Sequence, residues 1–132
     1  MAVPFSKVRL WPAVLTICAC VCADVGTAVA QDDAVTRANR MAYDSAIKCF
    51  IANGIVAGDW RRDGDKAKQA VFEAKARESF DIATKAGDVL GYSGTRINQD
   101  FGLAQSEDMP RMMTDNAYFK STVAMCKSLG LM

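Results

Sequence analysis

Histidine is absent from this 132-residue chain. Its absence removes the commonest general base, the two His-activated nucleophile pairs and the commonest metal ligand. No spacing typical of a phosphate-cradling loop occurs either. We therefore predict no catalytic residue, no cofactor and no metal ligand. An enzyme that works with carboxylates alone is the least favoured class of function.

The chain also lacks an excess of either charge, because 16 Lys and Arg stand against 15 Asp and Glu. A neutral chain without a basic patch offers no electrostatic attraction to phosphate groups. Nucleic acid and anionic lipid are therefore not expected as partners.

The apolar run at residues 10–23 is too short for a membrane span, which needs ~20 residues. The run follows Lys7 and Arg9 and precedes the small-residue site Ala28-Val29-Ala30. A basic start, an apolar centre and such a site together form a secretory signal. We predict a signal peptide at residues 1–30 and one domain at residues 31–132. This domain is expected to be periplasmic or secreted and to carry no membrane span.

Two alternatives to a cleaved signal peptide stay open. In the first, residues 1–30 are not cleaved and anchor the protein in the membrane. In the second, Cys20 carries a lipid, because Ile17-Cys18-Ala19-Cys20 loosely resembles a lipoprotein signal.

Few cysteines are left once the signal is removed, since only Cys49 and Cys126 lie beyond residue 30. An even number of cysteines in an exported chain indicates disulfide bonding. We predict a Cys49–Cys126 disulfide, and the alternative is a pair of free buried thiols.

Proline is equally rare beyond the signal, where Pro110 stands alone, and alternating Val, Ile and Thr runs are missing. Together with many alanines, this composition favours helix throughout. We predict an all-α domain of three to four helices. The first begins at Asp32 or Asp33 and ends at Ala57-Gly58, and the loop 58–64 follows it.

Asp63 or Asp65 is expected to cap the second helix, which ends at Ala86 with Gly87 beyond it. The apolar stripe then continues to Ala104, so a break or sharp kink is expected between Gly87 and Gly94. These two glycines are expected to allow close helix approach. The last helix is predicted to begin at Pro110.

The predicted disulfide limits how these helices are arranged. With the predicted helix starts, the cysteines meet if the first and last helices are parallel or cross obliquely. A regular up-down four-helix bundle of equal helices would hold them apart. The sequence therefore predicts a compact helical domain that is not such a bundle.

The loop residues Trp60, Arg61 and Arg62 form the candidate recognition site, since Trp and Arg are enriched in binding hot spots. In the alternative, Trp60 covers the end of the core while the arginines pair with Asp59 and Asp63. A second open choice concerns Met109, Met112 and Met113, which line an adaptable groove or fill gaps in the core.

From these observations we expect a non-catalytic binding module for a protein partner or a small apolar ligand. The alternative is a structural or accessory subunit of a cell-envelope assembly. The oligomeric state is not predicted.

Overall fold

The computed structural model describes the backbone of residues 23–132 and the side chains of residues 33–132. Most of the predicted signal lies outside this range. The described part of the chain contains four helices and no strand, and a disulfide joins the first helix to the last. The predicted fold class and cysteine pairing are thereby confirmed. The helices are α1 (Ala23–Arg62), α2 (Lys66–Val89), α3 (Gly94–Thr114) and α4 (Asn116–Ser128).

Helix α1 is longer than predicted at both ends. It includes Ala23–Ala30 from the predicted signal, and it continues through Gly58 to Arg62. The prediction that it ends at Ala57-Gly58 is wrong, because the left-handed backbone of the turn falls on Gly64 instead, at φ 78°. A short turn replaces the predicted loop. Asp65 caps α2 as predicted, its carboxylate accepting a hydrogen bond from the Lys68 backbone N–H at 3.0 Å.

Helix α2 ends at Val89, three residues later than predicted. Gly91, at φ 73°, is the left-handed residue after this helix, and Gly87 lies inside it. The Tyr92 N–H donates to the Gly87 carbonyl and the Gly91 N–H to the Asp88 carbonyl, the paired bonds of a glycine-terminated helix. The break predicted between Gly87 and Gly94 is present, but Gly94 opens α3 and its Cα faces open space. The prediction that Gly94 allows close helix approach is therefore wrong.

Pro110 lies inside α3, so the prediction that the last helix begins there is wrong. Asp115 marks the boundary instead. Its backbone N–H donates to the Arg111 carbonyl at 2.8 Å, and its carboxylate accepts from the Tyr118 N–H at 2.9 Å. One residue therefore ends α3 and caps α4.

Helix α1 contacts each of the other three helices, whereas α2 and α4 do not contact one another within the described range. Along α4, Phe119 lies beside the end of α1 and Cys126 is bonded to Cys49. Helix α4 is therefore antiparallel to α1, and the predicted parallel arrangement is wrong. The two helices are antiparallel because α4 begins at Asn116, later than predicted and beside the end of α1. Direction alternates along the chain, but the unequal contacts exclude a regular four-helix bundle.

The core lies along α1. The core consists mainly of buried aliphatic and aromatic side chains where α1 packs against α2 and α3, together with the disulfide. Phe50, Phe80 and Phe101 bring these three helices together, with ring centroids 4.8–6.2 Å apart. The apolar residue after the last helix, Leu131, is buried as well. None of the helices described is both long and apolar enough to cross a membrane.

Gly87 allows α1, α2 and α3 to approach one another. A Cβ at this position would lie 2.9 Å from Ile97 Cδ1 and 3.0 Å from Tyr43 Cε2. Tyr43 has little freedom to move, because its hydroxyl donates to Asp100 at 2.7 Å.

We expect Gly87→Ala to lower the free energy of unfolding by ~1–2 kcal/mol, since overpacking outweighs the better helix propensity of alanine. Gly102→Ala is the matched control, because a Cβ added at this helical glycine would meet no other atom within 4 Å. The control is expected to raise stability slightly. Urea unfolding of both variants checks the prediction, and a stabilised Gly87→Ala protein would contradict it.

Candidate functional site

An open groove of about 490 Å³ lies where the end of α1 meets the α3–α4 joint. We call it the methionine groove. From α1 it is lined by Gly54, Ile55, Gly58, Asp59 and Arg62. From α3, α4 and their joint it is lined by Met109, Met112, Met113, Thr114, Asn116 and Phe119.

The floor of the groove exists because α1 carries glycine at positions 54 and 58. Residues four apart share one face of a helix. A Cβ at either glycine would meet no atom within 4 Å, so neither glycine serves close packing. Glycine inside a helix costs about 1 kcal/mol relative to alanine. The two glycines therefore weaken α1 and leave open space beside it.

The three methionines divide between the two predicted roles. Met112 is 3% exposed and fills the core beneath the groove. Met109 and Met113 are 40% and 64% exposed and form its walls. Methionine adapts its shape to irregular apolar surfaces through three rotatable bonds. The groove thus has one fixed methionine beneath it and two adaptable methionines in its walls.

The α3–α4 joint is held by a compact set of contacts. The Tyr118 hydroxyl donates to Asp108 at 2.7 Å, and the Arg111 guanidinium lies 3.9 Å from the centre of the Tyr118 ring. Burial and this hydrogen bond raise the pKa of the Tyr118 phenol. Because Asp108 and Arg111 flank the methionines in sequence, these contacts fix the helix that carries them.

The candidate recognition residues lie in the last turn of α1 and not in a loop. Trp60 is half-buried, with Lys68 Nζ 4.0 Å from the centre of its ring. Arg61 pairs with Glu73 of α2 at 3.0 Å. Arg62 points the other way, pairs with Asp59 and lines the methionine groove. The structure therefore brings only one of the three predicted residues to the groove.

A second cleft of about 630 Å³ lies between α1 and α3 and is charged. Arg40, Asp44 and Lys48 line it on α1, while acidic residues predominate on α3. The deepest polar group is Tyr43. Burial and the hydrogen bond to Asp100 raise the pKa of its phenol, so this hydroxyl stays protonated at neutral pH.

The Asp100 carboxylate accepts from Tyr43 and lies 3.8 Å from Arg96 Nε, whose guanidinium stacks on Tyr92. Among residues 33–132, no three Cys, Asp or Glu side chains are grouped closely enough to hold a metal ion. The rings of Tyr43 and Tyr92 pack edge to face in this cleft, with their centroids 5.2 Å apart.

Asn53 is a buried polar residue that sequence reasoning missed. It is 0% exposed, and its Nδ2 donates to the Cys49 carbonyl at 2.8 Å and to the Leu131 carbonyl at 2.7 Å. Its Oδ1 accepts no hydrogen bond. Asn53 thereby ties the turn after α4 to the C-terminal half of α1. It lies one residue before Gly54, directly beside the groove floor.

The sequence contained one signal for the groove that went unused, namely two glycines four residues apart within a helical stripe. Comparison with protein-family models, with curated proteins and with solved structures finds no match to this chain. The choice of the groove as the candidate functional site therefore rests on its geometry alone.

Proposed function

We propose that this protein is an exported, non-catalytic binding module that takes a small apolar ligand in the methionine groove. The observation that supports the proposal is the pair of helical glycines that face open space. A chain that only needed a stable α1 would gain from alanine at both positions.

The size of the groove favours a small ligand over a protein partner. Its volume falls within the ~300–1,000 Å³ typical of small-molecule sites. Its eleven lining residues are fewer than the ~20–30 residues that each side of a stable protein interface contributes. Asp59 and Arg62 are the charged residues in its lining, and they pair with each other. The groove thus suits an apolar body with few polar atoms.

The proposed export rests on the predicted signal and on the disulfide. Disulfides persist in oxidising compartments outside the cytosol. Both cysteines are 0% exposed, so their bond belongs to the core and not to a surface redox site.

A substitution that fills the groove without touching the core tests the proposed function. We expect Gly58→Leu to abolish binding of the neutral apolar dye phenylnaphthylamine, because the new side chain enters the open space. Its melting temperature is expected to stay level or rise, since leucine is the better helix former by ~0.8 kcal/mol. Dye fluorescence titration and thermal melting measure the two effects.

Gly102→Leu is the matched control, because it makes the same change at an exposed helical glycine outside the groove. This control is expected to bind dye like the parent chain. Failure of the parent chain to bind dye at one site, or undiminished binding by a folded Gly58→Leu protein, would refute the proposal. Native mass spectrometry of the purified chain would show directly whether a ligand or a protein partner accompanies it.

A further inference from the structure

We propose that the methionine groove also binds a soft monovalent metal ion of the Cu(I) class through the thioether sulfurs of Met109 and Met113. This inference goes beyond the binding of an apolar ligand and does not depend on it. It rests on two exposed methionine side chains that line one groove from the same helix, four residues apart.

The donor set selects the ion. Thioether sulfur is a soft, uncharged ligand that favours Cu(I) over hard cations such as Mg²⁺ and Ca²⁺, which require oxygen. The chain has no histidine, and Cys49 and Cys126 are consumed by their disulfide. Within the described residues, methionine is therefore the soft donor available to an incoming ion.

The helix places the Met109 and Met113 side chains next to each other. Met113 stands four residues after Met109, and side chains at this spacing have Cβ atoms ~5–6 Å apart. Each side chain has enough rotatable bonds to turn its sulfur toward a shared ion. Met109 and Met113 are exposed, so they can turn toward an ion without leaving a cavity in the core.

The surroundings tolerate one positive charge. The groove is open to water on one side, so the ion need not lose all its solvation. Asp59 and Arg62, which pair with each other, line the groove together with the uncharged Thr114 and Asn116. The lining therefore carries no net charge that would repel the ion.

Ag(I) is the probe, because it has the same charge and ligand preference and does not need a reductant that would open the disulfide. Titration with silver nitrate in chloride-free buffer is followed by native mass spectrometry and calorimetry. We expect one Ag(I) per parent chain, with the disulfide intact by mass. Met41→Leu is the control, since Met41 is exposed and lies outside the groove; it should retain this stoichiometry.

The double variant Met109→Leu/Met113→Leu is expected to lose the one-to-one silver complex. Each single change should weaken it by about tenfold or more, because losing even a group that only orients a metal ligand costs ~10–100-fold. Leucine conserves apolar volume, so folding and the apolar lining are kept. Circular dichroism verifies the fold, and the single Met113→Leu change serves if the double variant unfolds.

Two results would overturn the metal site: a parent chain that takes up no silver, and a double variant that takes it up unchanged. Dye titration of the unaltered parent chain separates this outcome from the proposed function, because it measures apolar binding without changing any methionine. Dye binding without silver binding removes the metal site alone, and silver binding without dye binding removes the apolar-ligand proposal alone.

Discussion

Asn53→Asp is expected to lower the free energy of unfolding by ~3–5 kcal/mol at neutral pH, the cost of leaving a buried charge uncompensated. The wild-type amide donates two hydrogen bonds, to the carbonyls of Cys49 and Leu131. An ionised carboxylate at this position donates none, and it places negative charge against two carbonyl oxygens. It also releases the turn that holds Leu131 against the core.

The loss of stability in the Asn53→Asp variant should grow as the pH rises. Burial beside carbonyl oxygens raises the pKa of the introduced carboxyl above its unfolded value of ~3.9. The folded chain then keeps its proton to higher pH than the unfolded chain does. Stability therefore falls as pH rises from about 4 through the folded pKa. Below pH ~4 both states are protonated and the loss is smaller.

Asn53→Ala is the control for this pH dependence. It removes the two donated hydrogen bonds without adding a charge, at a cost of ~1–3 kcal/mol. Its deficit relative to the parent chain should not change between pH 4 and 7. Urea unfolding across this range compares the two variants. Equal, pH-independent deficits would mean that water reaches position 53 in the folded protein.

Breaking the Cys49–Cys126 disulfide is expected to lower the free energy of unfolding by about 2–4 kcal/mol. The two cysteines are 77 residues apart, and closing so long a loop limits the unfolded chain by at most ~4.5 kcal/mol in the chain-entropy model. The bond acts mainly on the unfolded ensemble, whereas the helices rest on local bonds and on the core. Most of the helix signal should therefore survive reduction at low temperature.

Circular dichroism melts with and without reductant measure this effect, and the double variant Cys49→Ala/Cys126→Ala removes the bond without a reagent. An unchanged melting temperature in both experiments would show that the bond does not form in the protein as isolated. Loss of helix at low temperature would show that the core alone cannot hold the fold.

The sequence predicted the helical class because composition and apolar spacing act locally and uniformly along this chain. The caps were predictable for the same reason. Asp65 begins α2 as expected, and Gly130 ends α4 with a left-handed backbone at φ 72°. The Leu131 N–H then donates to the Cys126 carbonyl, which closes the cap of this helix.

The predicted helix boundaries were wrong where the same residue type can serve two structural roles. Gly58 and Gly87 look like helix ends in the sequence. In the structure, Gly58 leaves open space at the groove and Gly87 makes room for the Ile97 side chain. Pro110 looks like a helix start, yet tertiary packing carries α3 past it. A groove at the methionines was one of two predicted alternatives, but its α1 side was missed. Only the fold shows that these two distant segments of the chain meet.

The central position of α1 has a consequence for cooperativity. Because α2 and α4 do not contact one another, the stability of each depends on the helix they share. Helices α3 and α4 both pack against α1, and they also contact each other through the Tyr118–Asp108 hydrogen bond. A local opening of α1 near Asn53 and Cys49 would therefore expose amides on the other three helices together. Amide hydrogen exchange should see the 33–132 region as a single unit whose slowest protons share one opening free energy.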